Sequence, residues 1–580
     1  MQPLLVNHII DQLADNNIRT YFIVTGGAIA PFVDAVGRSN KVKYYCFQHE
    51  QAAAIAAEGY YRASGKVACV LVTSGPGVQN ILNGVCGCWY DSIPCLFISG
   101  QVNMNESLNS ICAKPRQVGF QETPVQDMFS SCTKYSKKIM DKSNVYSIFS
   151  EALNSMMNDR LGPVLIDFPV NIQMEKIFDP FILNIKTNDR QYSDTTNINI
   201  NINNIITSTK RPLIILGNGA RYNNNSLIEW INHTNIPFVT SWAAIDLIDH
   251  THPLRIGSIG VYGDRLANFC VQNADLLIIL GSRMDTRQTG GNPQLCSMSS
   301  TKIMVDIDEE EIKKLNERGF KIDIPIISTV KQFIERIKVK ALCDEWKNII
   351  SIWKDNFGIE STRKGDIYKI MNDIQFPGNS IIICDTGATL VWAMQSINIK
   401  QGQRLFSNLG NSSMGYALPA AIGAAIATNN SVPIISISGD GGIQMNIQEL
   451  ITVSSLNLPI TIIIVNNSGY GIIRQFQDSY FKSRYTATNS QDLFKTDNGI
   501  DFIHIGEAYN IKSIRTTSNI EISINNPVLY DIPIDPNQKI YPKLEFGNSL
   551  ENMAPHLPDL HKYMLVEQIP PIIQSGWVTK

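Results

Sequence analysis

Short apolar runs recur along the chain, each closed by Gly, Pro, Asn or Asp, with longer stretches of helical period between them. From Tyr21 to Gly100 the runs are Tyr21–Val24, Ala68–Val72 and Pro94–Ile98, and Pro163–Pro169 completes the set. A continuous apolar run too short for a helix, bounded by turn residues, predicts a strand buried on both faces. Strands that alternate with helical stretches predict a parallel sheet covered by helices. A second set begins at Pro212–Leu216, which ends in Gly217-Asn218-Gly219, and continues through Ala274–Gly281 and Lys302–Asp308; the stretch from Glu309 to Asp355 reads as helical and charged. A third runs from about Asp366 to Tyr530, with strands at Ser380–Cys384, Val432–Ser438 and Ile460–Val465. The expected fold class is α/β, with three doubly wound parallel-sheet domains in a row. Their expected bounds are 1–175, 211–345 and 360–545. The Asn-rich stretch 176–210 is expected to be a surface linker and 546–580 a C-terminal tail.

Composition narrows the class. A chain of 580 residues is too long for one hydrophobic core, and 44% apolar with 17% charged residues is ordinary for a globular protein. A formal net charge of −3 lacks the basic footprint of nucleic-acid binding. No apolar run reaches membrane-spanning length. The start of the chain, Met1 to Asn7, leads straight into a domain-like pattern without signal-peptide architecture. The 11 cysteines are scattered, and Cys86 and Cys88 lack the spacing of a zinc or redox pair, so reduced thiols and a cytoplasmic location are expected.

The chemistry concentrates in the third set. Gly439-Asp440-Gly441 follows the strand ending at Ser438, and Asn466-Asn467 follows Ile460–Val465; a helix from Gln444 to Leu456 is expected between them. Each motif alone is a common turn. Together they sit at the carboxyl ends of strands, where ligands collect in a parallel sheet, so Asp440 and Asn467 can converge. A carboxylate and an amide oxygen are hard ligands suited to Mg²⁺, which takes few protein groups and completes its shell with substrate phosphates. The glycines let backbone N–H groups approach phosphate oxygens. With Gly469-Tyr470-Gly471 following, this pair of motifs resembles the signature of thiamine-diphosphate enzymes. The resemblance implies Mg²⁺ ligation by Asp440, Asn467 and the backbone carbonyl of Gly469.

Thiamine needs a carboxyl group against its aminopyrimidine ring, to promote proton loss from the thiazolium. The first set offers Glu50, in His49-Glu50-Gln51-Ala52-Ala53 after a short strand at Tyr44–Phe47, with Thr73-Ser74-Gly75-Pro76-Gly77 and Asn80 one strand on. A lone Glu at a strand end is usually a helix N-terminal charge. These segments, with Thr25-Gly26-Gly27-Ala28, Glu58-Gly59-Tyr60, Gly100-Gln101-Val102, Gly119-Phe120-Gln121-Glu122 and Met414-Gly415-Tyr416-Ala417, resemble the acetohydroxyacid (acetolactate) synthases over nearly the whole chain. The resemblance implies a catalytic role for Glu50, Phe120 and Gln121, and for Met414 as the apolar wedge that bends the cofactor. It implies thiamine-diphosphate contacts at Gly26, Gly27, Pro76 and Asn80 from the first domain. From the third it implies Gly387, Thr389, Ser412 and Met414, with Gly439, Gly441, Gly442 and Gly469 at the diphosphate. It also implies that Glu50 and Asp440 meet across a subunit boundary, in a homodimer or homotetramer, and a place in branched-chain amino-acid synthesis.

In the middle set, Gly281-Ser282-Arg283-Met284-Asp285-Thr286-Arg287 follows a strand. The family keeps a similar stretch against a non-redox FAD, which implies FAD contacts at Arg283, Asp285 and Arg287, with Arg287 also facing the acceptor's carboxylate. Two arginines at a strand end suit a pyrophosphate or an acidic substrate. The alternative is a middle domain that keeps the fold without the dinucleotide.

The departures from the family fall near the second substrate. Val170 stands where a lysine is expected, Ser258 where a methionine is expected, and Phe476 where a tryptophan selects larger keto acids; the phosphate segment reads Gly387-Ala388-Thr389-Leu390. The expected function is decarboxylation of pyruvate or a similar 2-keto acid and transfer of the two-carbon unit to a second carbonyl, with Arg287 and Phe476 in the acceptor pocket. The alternatives are a ligase adding an acetyl unit to a keto-sugar nucleotide and a simple 2-keto acid decarboxylase or oxidase. A silent cofactor-binding subunit is disfavoured by intact Glu50 and Asp440, and a plain dinucleotide-binding protein by the thiamine motif pair.

Overall fold

Each strand set closes into a six-stranded parallel sheet in the computed structural model, which describes residues 4–176, 181–185, 196–221, 224–357, 363–495 and 499–566. The first sheet contains β1 (Thr20–Ile23), β2 (Lys43–Cys46), β3 (Cys69–Val72), β4 (Leu96–Gln101), β5 (Tyr135–Lys138) and β6 (Val164–Pro169), in the order β2-β1-β3-β4-β6-β5. The middle sheet contains β7 (Pro212–Leu216), β8 (Phe238–Thr240), β9 (Arg255–Ser258), β10 (Leu276–Leu280), β11 (Thr301–Asp306) and β12 (Ile324–Ile327), in the order β12-β11-β10-β7-β8-β9. The third contains β13 (Ile381–Cys384), β14 (Arg404–Phe406), β15 (Ile434–Gly439), β16 (Ile460–Asn466), β17 (Lys512–Arg515) and β18 (Val528–Pro533), in the order β14-β13-β15-β16-β18-β17. Counted from its own first strand, the third sheet repeats the order of the first. Each sheet reverses its winding between β1 and β3, between β7 and β10, and between β13 and β15; the first and third turn back again at one edge, where β6 and β18 lie inside β5 and β17. Such switch points open a crevice beyond the carboxyl ends of the strands.

The apolar runs visible in the sequence are mostly the central strands, buried along their whole length, as in β3, β7, β10 and β16. The edges β5, β9, β12 and β17 are only partly buried, so no continuous apolar run announces them. Two expectations are corrected. The stretch from Glu309 to Asp355 is not wholly helical: the edge strand β12 lies between helix Glu309–Glu317 and helices Val330–Arg336 and Asp344–Phe357. The interval after Asp440 is not one helix either. It runs through a 3₁₀ segment, Gln444–Glu449, broken at Asn446, and then a short helix, Leu450–Ser455.

The Asn-rich stretch contributes a helix, Thr196–Ser208, whose Ile202 and Ile206 are fully buried in the middle domain's core. Residues 177–180 and 186–195 of that stretch lie outside the described residues. The tail also returns to the middle domain, where Leu550, Met553 and Leu560 join its core; residues 567–580 lie outside the described residues. The first and third domains pack through helices Glu50–Ser64 and Ala417–Ala427. Their backbones approach so closely that a Cβ at Gly423 would stand 1.9 Å from the carbonyl oxygen of Ala56.

Candidate active site

The crevice of the third sheet is a cavity of about 530 Å³ between the third and middle domains. Asp440 begins the short helix that follows β15, and Asn467 follows β16; both are buried and both line the cavity. Asp440 Oδ1 accepts from the Gly441 N–H (2.8 Å) and Oδ2 from the Gly469 N–H (2.9 Å). Burial pushes the Asp440 carboxyl up to about 7 against the pull of these backbone donors. A divalent cation beside it would favour the carboxylate form. Gly439, Gly441, Gly442 and Gly469 also line the cavity. So do Gly387 and Thr389, at the start of helix Ala388–Ser396, which carries no side-chain cap. Gly387 has φ +90°, a left-handed conformation that favours glycine, and a Cβ there would meet no atom within 4 Å. An uncapped helix start over an open glycine turn fits a phosphate group. One carboxylate, one amide and that phosphate-ready turn fit a Mg²⁺ diphosphate.

Asp385, which the sequence reading passed over, organises this crevice. It is fully buried at the end of β13. Its carboxylate accepts from the Thr386 N–H (2.8 Å), the Gly415 N–H (3.0 Å) and the Ser438 hydroxyl (3.1 Å). Burial pushes it up to about 6. It thereby joins the ends of β13 and β15 to the loop bearing Ser412 and Met414, both on the cavity wall. An acid at a strand end just before a glycine turn is the same signal that singled out Asp440.

The first-domain candidates form a separate group at their own switch point. Glu50 opens helix Glu50–Ser64, capped by His49, and Glu50 Oε2 accepts from Asn80 Nδ2 (2.9 Å). Pro76 starts the helix Pro76–Asn80. Gly26 packs against Thr73, while Gly27 faces open space. Gln121 adopts φ +64° and its side chain packs against Gly75. Phe120 is 86% exposed. None of these residues lines the third-domain cavity. Within one chain, the pyrimidine-side candidates and the metal-side candidates are therefore not brought together.

The middle sheet's switch point carries a second cavity, of about 580 Å³. The turns after β7 and β10 nearly touch there: a Cβ at Gly217 would stand 2.1 Å from the Gly281 carbonyl oxygen. Arg283, Asp285, Arg287 and Asp306 are on the wall. Arg283 donates one bond to the carbonyl of Tyr90 (3.0 Å), and Asp285 caps helix Thr286–Thr289. Glycine turns at a switch point, with an acid at the next strand end and arginines beside them, fit a dinucleotide. The two cavities share Val261, Tyr262, Arg287, Leu390 and Ser412. Arg287 lies over the Tyr262 ring, 5.9 Å from its centroid.

Of the departures noted above, Phe476 and Gly387 to Leu390 line the first cavity, but Ser258 and Val170 line neither. Ser258 is buried at the end of β9, its hydroxyl 3.1 Å from that of Thr240. Phe476 packs with Tyr480, Phe481 and Phe546, at 4.9, 5.7 and 5.9 Å between ring centroids. Leu544, Glu545 and Phe546, from the end of the chain, complete the cavity wall; no local motif points to them.

Three family models match the chain. They are the N-terminal TPP binding domain of thiamine pyrophosphate enzymes over residues 5–129, the central domain over 201–337, and the C-terminal TPP binding domain over 385–525. Among curated proteins, the chain is 31% identical to an acetolactate synthase large subunit of Cyanidium caldarium, covering 94% of this chain and 95% of that protein. It is 29% identical to the large subunit of Lactococcus lactis (95% and 96% covered) and 28% identical to the isozyme 2 large subunit of Escherichia coli (95% and 99%). Among the described residues, no helix is long and apolar enough to cross a membrane.

Proposed function

The chain belongs to the thiamine pyrophosphate enzymes, and from that premise we propose that it is an acetolactate-synthase-like carboligase. It decarboxylates pyruvate or a similar 2-keto acid and transfers the two-carbon unit to a second carbonyl. The observation that carries this reading is the reach of the first cavity, from the Asp440–Asn467 pair to Arg287 and Phe476. A simple decarboxylase needs no room beyond the donor. Here the space continues to Arg287, whose guanidinium makes no hydrogen bond or ion pair among the described residues and can take an acceptor's carboxylate.

Asp440, Asn467 and the Gly469 carbonyl would hold Mg²⁺, and Gly387 with Gly439, Gly441 and Gly442 the diphosphate. The bound thiamine supplies an electron-accepting thiazolium ring. Met414 and Ser412 shape the wall beside it. Glu50 shares a proton with the pyrimidine ring and is oriented by Asn80. Because no first-domain residue lines the cavity, the working unit is a homodimer or a larger assembly, in which one subunit's Glu50 faces its partner's cavity. The second cavity would hold FAD, with the Gly217 and Gly281 turns and Arg283 available to its pyrophosphate.

The test is product identification. Holoprotein given labelled pyruvate, alone and with 2-ketobutyrate or a keto-sugar nucleotide, is expected to form the 2-hydroxy-2-acyl acids. Carbon dioxide and acetaldehyde alone would refute ligation. Label appearing only in the sugar would move the acceptor from keto acids to keto-sugars.

A further inference from the structure

A carboxylate of the third domain reaches the turn that presents Glu50. Glu449 is fully buried, at the end of the 3₁₀ segment that follows the Asp440 helix. Its Oε1 accepts from the backbone N–H groups of Gln48 (3.0 Å) and His49 (3.1 Å), the two residues before Glu50. Its Oε2 accepts from the Thr452 hydroxyl (2.6 Å). The turn needs such an acceptor. It follows β2, an edge strand, and enters helix Glu50–Ser64, whose first N–H groups have no intrahelical partner. His49 meets one of those needs by accepting from the Gln51 N–H (3.1 Å). Glu449 takes the N–H of the cap residue His49 and that of Gln48 before it, both on one carboxyl oxygen.

We propose that Glu449 is a positioning residue for Glu50, fixing the backbone of the Glu50 turn while Asn80 fixes its carboxyl group. This rests on the reading of Glu50 as the pyrimidine-side carboxyl. Glu50 is held from two sides, by Asn80 of its own domain and by Glu449 of the third domain. The hold comes from another domain, so it does not depend on how rigid the first domain is by itself. A catalytic group tolerates a displacement of only about 0.5 Å. An unsupported turn before it would therefore lower turnover without removing a residue of the cavity that holds Asp440 and Asn467, which Glu449 does not line.

The test measures geometry and turnover separately. In E449A apoprotein, hydrogen–deuterium exchange at Gln48 and His49 is expected to rise about tenfold or more, as these amides lose their acceptor. In E449A holoenzyme, kcat is expected to fall by up to about 10²-fold, the scale of a misplaced catalytic group. KM for pyruvate and the calorimetric affinity for Mg²⁺ and thiamine diphosphate should hold. E449Q keeps a neutral acceptor and should lie between E449A and the native protein on both readouts. Unchanged exchange overturns the proposal, and so does faster exchange with native kcat, which would make Glu449 a structural cap only. If E449A fails to fold, E449Q decides: partial loss on both readouts supports the proposal, and native values overturn it. An active E50Q enzyme would remove the reading of Glu50 and the proposal with it, whereas an inactive E50Q beside a native-like E449A removes the proposal alone.

Discussion

Replacing Glu50 by Gln separates the proton-sharing role from every other role the residue could have. The substitution keeps the side chain's shape. Asn80 Nδ2 donates to Glu50 Oε2 at 2.9 Å, and the carbonyl oxygen of a glutamine can accept the same bond. The exchange of a charged for a neutral acceptor costs about 1 kcal/mol, too little to unfold a domain. Nor should it affect the metal, because the cavity holding Asp440 and Asn467 contains no first-domain residue. What disappears is the capacity to share a proton with the pyrimidine ring. General acid–base contributions run about 10²–10⁴-fold, or roughly 3–5 kcal/mol of barrier at 1.36 kcal/mol per tenfold. The assay is carbon dioxide release from pyruvate by holoprotein, beside calorimetric titration of apoprotein with Mg²⁺ and thiamine diphosphate. The expected result is a fall of at least 10²-fold with cofactor affinity retained. A smaller fall, or an equal fall in cofactor affinity, would refute the assignment.

Asp440→Ala should abolish Mg²⁺-dependent binding of thiamine diphosphate, since it removes the charged ligand of the site; unchanged affinity by calorimetry would place the metal elsewhere. Purified protein should be yellow from FAD that does not bleach during turnover, and a colourless preparation that gains nothing from added FAD would overturn the dinucleotide reading of the second cavity. Phe476→Trp should raise the preference for 2-ketobutyrate over pyruvate as acceptor by roughly 10–200-fold, the worth of one extra apolar contact. The wild-type enzyme, with the smaller ring among Tyr480, Phe481 and Phe546, should show little preference, and competition assays that find a preference of several tens-fold would refute this. Asp167→Asn should change the pH dependence of stability. Burial pushes Asp167 up to about 7, so the native carboxyl stabilises the fold below its unfolded pKa near 4 and loses that contribution as pH rises through 7. The swing is roughly 4 kcal/mol, and the Asn variant should lack it in denaturant melts from pH 4 to 8; parallel curves for the two proteins would count against the buried charge.

Much of this protein was legible in its chain because its central strands are buried on both faces. Burial on both faces forces a continuous apolar run, and the parallel sheet forces turn residues at its ends, so β7 and β16 stand out without any partner in view. The meeting of Asp440 and Asn467 on one cavity wall was legible for a related reason. A strand's carboxyl end is a fixed place, and Gly-Asp-Gly and Asn-Asn each sit at one. Asp385 carries the same local signal and was passed over. The partly buried edge strands β12 and β17 carry no such run, since their environment is set by what neighbours them in space. The Asn-rich stretch misled because two isoleucines, Ile202 and Ile206, suffice to dock a helix once a core is there to receive them. Glu449 holding the Glu50 turn, and Phe546 packing against Phe476 on the cavity wall, had no signal in the sequence. Both join residues tens to hundreds of positions apart, and only the packing of domains and the return of the chain's end bring them together. The sequence determined which candidate groups stand at the strand ends, because local pattern fixes those ends. The tertiary structure decided what supports them and which halves of the site a single chain leaves apart, because domain packing is a sum over surfaces that no local pattern records.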